Sequence, residues 1–253
     1  MCAFAGWPGC SVAGVSRCHL GDALPDLGAR ARLARESHNN GACHQAGRLD
    51  AKKKTLGASE RNEEARAAWR EHLKQLDARK LVVIDECGSN IALTPLYARA
   101  PKGLRAYGSA PRNRGKNTTL IAALTFEGMG ESMIIEGAAN AAAFESYFEE
   151  ILAPSLCPGQ IVIMDNLAAH KGKKVEELIQ ARGCQLLFLP AYSPDFSPIE
   201  ETFSKVKTFL RRVGARTREA LQEAICQALL TVTEQDAHGW FRHCGYLPAK
   251  EQA

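Results

Sequence analysis

Residues 80–86 read KLVVIDE, a continuous apolar run that ends in two acids. A second stretch, GQIVIMDN at 159–166, has the same arrangement, with Asp165 after the run. A third apolar run lies in CQLLFLP at 184–190. Short apolar runs without polar alternation are typical of strands that are buried on both faces of a sheet. The three stretches therefore predict buried strands of one central sheet.

The other periodic stretches predict further strands and helices. NIALTP at 90–95 and TTLIAALTFEG at 118–128 are bounded by Gly and Pro, which predicts antiparallel neighbours of the first strand. Ser59 is the expected N-cap of a first helix. Apolar residues at helical spacing predict helices at 59–76, 140–152, 171–183, 198–213 and 217–232. This order predicts an α/β fold with a mixed central sheet flanked by helices.

Composition limits the classes of protein that fit. The chain has 253 residues, 45% of them apolar, and a formal net charge of +4, which permits a nucleic-acid partner. No apolar run approaches the roughly 18 residues of a membrane span, so no membrane partner is expected. Nine cysteines are an odd number in a chain of this size, which favours an intracellular protein with reduced thiols. The cysteines and histidines near the N-terminus match no common zinc-site spacing.

Residues 1–50 differ in character from the rest of the chain. They show neither helical nor strand periodicity, which predicts a poorly structured segment, either non-native or truncated. Residues 51–78 are predicted to form a linker helix, and residues 79–253 the folded domain. We hypothesise that the chain is a truncated or frame-shifted copy whose native-like sequence begins near Lys52, where the character of the sequence changes.

Three acids are expected at one edge of the sheet. Asp85 and Asp165 each follow a predicted buried strand, at the carboxyl end where open α/β sheets bind ligands. Glu200 begins a helix shortly after the third strand and is expected at the same edge. Neighbouring carboxylates raise one another's pKa, and a divalent cation relieves this repulsion. A site made only of oxygen ligands favours Mg²⁺ or Mn²⁺ over zinc.

Glu200 has two interpretations. Ser197 is a good N-cap, Pro198 suits the first helical position, and Glu200 three residues after the cap completes a Ser-x-x-Glu capping box. Alternatively, the start of the helix aims the carboxylate at a ligand. A carboxylate that binds a metal ion cannot also close the box.

The stretches VVIDE, IVIMDNLAAHK and LPAYSPDFSPIEETFSKVK together resemble transposases of bacterial insertion sequences related to the Tc/mariner group, often labelled DDE superfamily endonuclease. The resemblance covers about residues 52–232 and implies a ribonuclease-H-like DDE catalytic domain at 79–253. It implies that Asp85, Asp165 and Glu200 are the catalytic and metal-binding triad. The 34 residues between the second and third acids are the separation that this group shows.

The chain also departs from the family pattern. Ser197 stands where the family usually has Asn, and both residue types are good N-caps. Residues 1–50 carry no signature of the N-terminal helix-turn-helix region that family members generally have. Glu86 and Glu201 adjoin the triad, and the sequence by itself does not separate Glu200 from Glu201 on physical grounds.

The resemblance implies a reaction and its partners. Two Mg²⁺ or Mn²⁺ ions are expected, one bridged by Asp85 and Asp165 and the other held by Asp85 and Glu200, for an in-line displacement at phosphorus. The expected substrate is double-stranded DNA, cleaved at element ends and joined to target DNA. A homodimer is expected in the synaptic complex. The expected location is the cytoplasm of a bacterium, at the nucleoid.

Basic residues cluster in two stretches without acids, 87–126 and 202–218. Basic clusters beside an acidic metal centre suit a phosphodiester substrate, although a run of charge is also typical of a solvated face. His170, after the second acid, has the same two interpretations. The predicted DNA-binding residues are Arg99, Lys102, Arg105, Arg112, Arg114, Lys116, His170, Lys205, Lys207, Arg211 and Arg212.

Two alternatives to a transposase stay open. One is a ribonuclease-H-like nuclease that is specific for branched or hybrid structures and does not transpose. The other is a catalytically inactive, truncated remnant that binds DNA through its basic stretches. The absence of a phosphate-binding Gly-rich loop from the sequence disfavours a phosphohydrolase of small molecules.

Overall fold

The structure, a computed structural model, describes residues 58–166 and 172–249. In this part of the chain five strands form one sheet: β1 (Leu81–Ser89), β2 (Thr118–Thr125), β3 (Gly128–Glu136), β4 (Ile161–Met164) and β5 (Gln185–Phe188). Their order across the sheet is β3-β2-β1-β4-β5. The β1–β2 and β2–β3 pairs are antiparallel, whereas the β1–β4 and β4–β5 pairs are parallel. The prediction of a mixed central sheet is therefore confirmed.

Helices cover both faces of the sheet. They are α1 (Glu63–Leu73), α2 (Ala141–Ser146), α3 (Lys173–Ala181), α4 (Pro198–Val213), α5 (Arg218–Leu230) and α6 (Glu234–His243). Helix α2 continues directly into a π-helical segment, Tyr147–Leu152. Helices α1, α4, α5 and α6 pack into one apolar cluster with one face of the sheet. Helices α2 and α3 pack into a second cluster on the opposite face.

The central strand β1 separates these two clusters. Leu81 and Val83 belong to the cluster of α1, α4, α5 and α6, whereas Val82 and Ile84 belong to the cluster of α2 and α3. Successive side chains of a strand point to opposite faces, so a strand covered on both sides needs apolar residues at every position. This requirement explains the continuous apolar run that begins β1.

The predicted strand at 90–95 is wrong, because β1 is longer than its apolar run. β1 extends through Asp85 to Ser89, and these residues pair with Ala122 to Thr118 of β2. The chain then turns at Asn90, whose side chain accepts a hydrogen bond from the Ala92 N–H at 3.0 Å. Such a side-chain bond favours a turn over continuation of the strand. Residues 90–95 are part of a loop.

Other elements differ from the sequence prediction at their ends or were not predicted. Strand β3 contains two glycines and few apolar residues in alternation, and α6 contains Gly239, so neither has a strong periodic signal. The N-cap of α1 is Asn62 rather than Ser59, and its side chain accepts a hydrogen bond from the Ala65 N–H at 3.0 Å. Helix α4 has the bounds that the sequence predicts, 198–213.

Helix α1 lies inside the predicted linker segment, 51–78, but packs on the domain that follows it. Trp69 and Leu73 of this helix are buried in the same cluster as β1. The domain boundaries stay a prediction, and the segment at 1–50, with its cysteines and histidines, lies outside the described residues. Among the described helices, none combines the length and the apolar character that crossing a membrane requires.

Four cysteines of the described residues carry free thiols: Cys87, Cys157, Cys184 and Cys244.

Candidate active site

The register of the parallel strands brings Asp85 and Asp165 together. In the β1–β4 pair, Leu81 stands beside Ile161 and Val83 beside Ile163. The same register, continued by two residues, sets Asp85 beside Asp165, which directly follows β4. Neighbouring strands lie about 4.8 Å apart, and residues two apart share a face. Asp165 therefore lies at the carboxyl end of β4, whereas Asp85 lies beside it in the middle of β1 and not at the end of its strand as predicted; both are on the face that α4 covers.

The pKa of Asp85 shows which charges surround it. This pKa is raised to about 7, mainly by burial and in smaller part by the negative charges of Glu86, Glu200 and Asp165. A hydrogen bond from the Glu86 N–H to Oδ1 of Asp85, at 2.8 Å, acts in the opposite direction. All three acids of the predicted triad are thus close enough to interact, which is the situation that favours a bound cation.

Helix α4 supplies Glu200 from its first turn. Ser197 is the N-cap and Pro198 is the first helical residue, as the sequence predicts. The buried face of the helix carries Ile199 and Phe203, which pack against the sheet. The side chain of Ser197 makes no capping hydrogen bond, so the capping-box interpretation of Glu200 is wrong. A structural role at the helix end does not account for this glutamate.

The structure separates Glu200 from Glu201. The charge of Glu200 acts on Asp85 and also on Cys87, two residues further along β1. The charge of Glu201 instead acts on Cys244, whose pKa is raised to about 12, mainly by burial. The two glutamates therefore face different neighbours, and only Glu200 faces the aspartates.

Glu86 is separated from the cluster by the alternation of β1. Successive residues of a strand point to opposite faces, so Glu86 follows Ile84 toward α2 and α3, whereas Asp85 follows Val83 toward α4. Glu86 therefore influences Asp85 as an adjacent charge, from the other side of the sheet.

The donor set fits a hard divalent cation. Asp85, Asp165 and Glu200 offer only carboxylate oxygens, which Mg²⁺ and Mn²⁺ prefer, and their mutual repulsion would be relieved by a cation. Within 58–166 and 172–249, no group of three acid, histidine or cysteine side chains is already arranged to hold an ion. The carboxylates are neighbours without forming a finished coordination shell.

A long basic loop, residues 90–117, connects β1 to β2 beyond the acidic edge. It contains no helix or strand, and Tyr97 and Tyr107 are each 90% exposed. Lys116 pairs with Glu136 of β3 at 3.3 Å. The six predicted DNA-binding residues of this loop, Arg99, Lys102, Arg105, Arg112, Arg114 and Lys116, are all exposed.

Arg216 holds the base of this loop. Its guanidinium donates hydrogen bonds to the carbonyl oxygens of Ile91, Leu93 and Ser109, at 2.9, 3.0 and 3.3 Å. The sequence shows Arg216 only as one cation of an acid-free stretch, because contacts between residues so far apart leave no local pattern. The structure assigns it a role in holding the loop.

The predicted DNA-binding residues of α4 have different surroundings. The ammonium of Lys205 lies 2.6 Å from a carboxylate oxygen of Asp236 and donates to the Thr231 carbonyl at 2.8 Å, so it joins α4 to α6. Lys207 lies close enough to Cys87, beside the acids, to lower the pKa of that thiol, against the larger effect of burial. Arg211 and Arg212 belong to the last turn of α4. His170 lies outside the described residues.

Solved structures of a transposase resemble this fold. A Mos1 transposase paired-end complex with a left transposon end aligns with a TM-score of 0.60 and 17% identity, over 82% of this chain and 65% of that one. A mariner Mos1 paired-end complex with Mg aligns with a TM-score of 0.60 and 16% identity, over 81% of this chain and 67% of the other. At such identities the likeness establishes the ribonuclease-H-like fold.

The Mos1 catalytic domain is matched almost completely. A structure of that domain with raltegravir and Mg aligns with a TM-score of 0.54 and 16% identity, over 78% of this chain and 98% of that one. The chain spans about 65% of the Mos1 transposase in the first complex.

The family of this chain is established by its match to a protein-family model. No curated protein matches the sequence. The model described as DDE superfamily endonuclease matches residues 80–222, which include Asp85, Asp165 and Glu200. The match covers more than half of the 253 residues, and the protein therefore belongs to the DDE superfamily of endonucleases.

Proposed function

We propose that this protein is a DNA transposase that cleaves and joins DNA strands at the Asp85, Asp165 and Glu200 cluster, in the presence of Mg²⁺ or Mn²⁺. The observation that carries the proposal is the electrostatic interaction of these three acids at one edge of the sheet. The family of the chain is one of endonucleases, and the structures that it resembles are complexes of Mos1 transposase with transposon ends and with Mg.

Each acid has a part in the proposed reaction. Asp85, central to the cluster, would bind both of two ions, Asp165 would share one of them and Glu200 the other. When bound, the ions neutralise the phosphodiester and make the attacking oxygen more nucleophilic. Burial of Asp85 limits access of water, which strengthens the electrostatic interactions of the site.

The basic loop 90–117 and the side of α4 that carries Lys207 would hold the DNA. Exposed arginines and lysines bind phosphates without reading sequence, and exposed tyrosines can stack on bases. The charge of Lys207 acts on Cys87, which is two residues from Asp85 on β1. Arg211, Arg212 and His170 remain predicted contacts, whereas the paired ammonium of Lys205 makes it the weakest candidate.

The wider assignments rest on the family resemblance. We infer that the substrates are the two ends of an insertion sequence and a target DNA, and that two copies of the chain act together on paired ends. The resemblance to transposases of bacterial insertion sequences supports a bacterial origin and action at the nucleoid in the cytoplasm.

Nicking of supercoiled plasmid in Mg²⁺ or Mn²⁺ tests the proposal. Wild-type protein should nick the plasmid, and Asp165→Ala should not, because the second acid is lost while the strand that carries it remains. Nicking by both proteins would point to a contaminating nuclease or another site. Binding of DNA without metal-dependent nicking by the wild type would instead favour an inactive remnant. A preference for branched DNA or RNA–DNA hybrids would favour the structure-specific nuclease.

A further inference from the structure

Arg66 of α1 is a charged residue that is almost completely buried, with 1% of its side chain exposed. Burial of a charge is costly unless a partner compensates for it. The main partner is Asp195, whose two carboxylate oxygens accept hydrogen bonds from Nη1 at 3.0 Å and from Nη2 at 2.6 Å, and a carboxylate oxygen of Glu63 lies 3.5 Å from Nε. These hydrogen bonds hold the pKa of Asp195 below its usual range. Arg66 therefore binds this carboxylate in the planar, two-point geometry that arginine provides.

Asp195 lies in the turn that leads into α4. This turn, Pro194–Phe196, is followed directly by the N-cap Ser197. The Arg66 guanidinium also stacks over the ring of Phe196, with its central carbon 4.4 Å from the ring centroid. The hydroxyl of Tyr246 donates a hydrogen bond to the Phe196 carbonyl at 2.8 Å. The turn is thus held from α1 on one side and from the segment after α6 on the other.

Arg66 and Tyr246, which hold the turn, come from outside the part of the chain that matches the family model. Arg66 precedes and Tyr246 follows the matched residues, 80–222, whereas the turn and Glu200 lie within them. The contacts therefore join segments far apart in sequence to the few residues that set the start of α4.

Stability alone is a poor explanation of this arrangement. An ion pair of this kind adds little net stability, because the buried guanidinium loses its hydration while the half-exposed carboxylate of Asp195 remains screened by water. What the pair does provide is a fixed position for the turn. From Asp195 the chain reaches Glu200 through Pro198, whose ring limits the backbone, and through the first turn of a regular helix. A shift of the turn is therefore transmitted to the Glu200 carboxylate.

We propose that the Arg66–Asp195 pair is a positioning device that sets where Glu200 meets the metal ions. The inference rests on the proposed metal-dependent function of the triad. Mg²⁺ tolerates little deviation from ideal octahedral geometry, and the described acids do not form a finished coordination shell by themselves. The position of α4 therefore decides how well Glu200 can bind the metal ions.

Metal binding by variants of the pair tests the proposal directly. Asp195→Asn and Arg66→Lys weaken the two-point contact, Asp195→Asn keeps an oxygen acceptor for the buried guanidinium, and both variants are compared at a temperature where they are folded. Arg79→Lys is the matched control. Arg79 makes a similar two-point contact with Asp77, at 3.1 and 2.9 Å, beside the start of β1 and away from the acids.

Thermal unfolding during a Mn²⁺ titration gives the apparent metal affinity, and plasmid nicking during a Mg²⁺ titration gives the half-activating concentration. For both variants of the pair we expect both concentrations to rise about 10- to 100-fold, the effect typical of residues that orient metal ligands. Affinity for a DNA duplex without metal should change less than about twofold. Arg66 is buried and is therefore not among the exposed cations that bind phosphates. Arg79→Lys should leave all three quantities unchanged.

Each of the remaining outcomes would contradict a specific claim about the positioning role, the metal site or the activity. Folded variants with wild-type affinity for Mn²⁺ would overturn the positioning role, as would an equal loss in Arg79→Lys. A wild type that Mn²⁺ does not stabilise would overturn both the positioning role and the metal site of the proposed function. If the wild type binds Mn²⁺ but does not nick, the proposed activity fails, while the metal titration still decides whether the pair positions Glu200.

Discussion

Helices α4 and α6 begin with the same pattern but use it differently. Each has a hydroxyl residue at the N-cap and an acid three residues later, Ser197 with Glu200 and Thr233 with Asp236. In α6 the pattern forms a capping box: Thr233 Oγ1 accepts from the Asp236 N–H at 3.2 Å, and the Asp236 carboxylate accepts from the Thr233 N–H at 2.9 Å. In α4 the side chain of Ser197 makes no capping bond.

The neighbours of each helix start explain the difference. Asp236 faces Lys205, and their hydrogen bond, followed by those from Thr233, lowers the pKa of Asp236 to about 2. Glu200 faces Asp85, whose pKa burial and neighbouring acids raise to about 7. An acid bound by a cation and two donors stabilises the fold, whereas an acid whose pKa burial and neighbouring acids raise is typical of a functional site. The same four-residue pattern thus has a structural role in one place and a chemical role in the other.

The largest expected effect is on nicking activity, which should distinguish Glu200 from Asp236. Glu200→Gln should lower metal-dependent plasmid nicking by at least about a thousandfold, because an amide is a poor ligand for Mg²⁺ and Mn²⁺. Asp236→Asn, the matched change in α6, should retain activity within about threefold at a temperature where it is folded. Equal losses in the two variants would remove the distinction between the helix starts.

The two sites should also respond to pH in opposite directions. The pKa of Asp85 is higher in the folded protein than its ordinary value of 3.8, so metal-free stability should fall as pH rises from about 4 to about 7. The pKa of Asp236 is lowered, so its contribution is complete above about pH 4 and lost as pH falls toward 2. The decline that Asp85 causes should amount to a few kcal/mol at most, about 1.4 kcal/mol for each pKa unit.

Urea unfolding of metal-free protein at a series of pH values measures both effects. Asp85→Asn should remove most of the decline between pH 4 and 7 and should stabilise the protein at neutral pH. Asp236→Asn should leave that decline in place and lower stability at neutral pH by about 1–2 kcal/mol, through loss of the cap and the ion pair. Persistence of the decline in Asp85→Asn would show that another group is responsible.

The smallest expected effect concerns the two N-caps themselves. Thr233→Ala removes an observed capping bond and should cost about 1 kcal/mol of unfolding free energy. Ser197→Ala removes no capping bond and should cost only a few tenths of a kcal/mol. Thermal unfolding of the two variants, at a pH where both fold, makes the comparison. A loss in Ser197→Ala as large as that in Thr233→Ala would mean that Ser197 does cap α4.

Much of the site could be predicted because each of its parts has a signal within a short stretch of sequence. Asp85 and Asp165 follow continuous apolar runs, and such runs identify buried strands whose carboxyl ends meet at one edge. Ser197 and Pro198 predict the start of α4 to the residue, since cap preference and the proline ring act over a few positions. The loop at 90–95 was predicted wrongly because the ladder to β2 extends β1 beyond its apolar residues.

The residues that the sequence did not reveal act over long separations. Arg66 pairs with Asp195, and Arg216 binds carbonyl groups of the loop after β1, yet neither contact leaves a local pattern. The choice between Glu200 and Glu201 likewise depends on which side of α4 faces β1. The surroundings of these side chains depend on how distant segments pack together, which no short stretch of sequence reveals.

By itself, the sequence determined the apolar runs of β1, β2, β4 and β5, the start of α4 and the set of acids available for chemistry, because each depends on residues within a few positions of one another. The tertiary structure alone decided which acids meet, through a strand order that sets Asp85 beside Asp165 and a helix that turns Glu200 toward them. It also decided that Asp236, in an equivalent sequence position, has a lysine for a neighbour. Charges interact according to distance in space, and that distance exists only once the chain has folded.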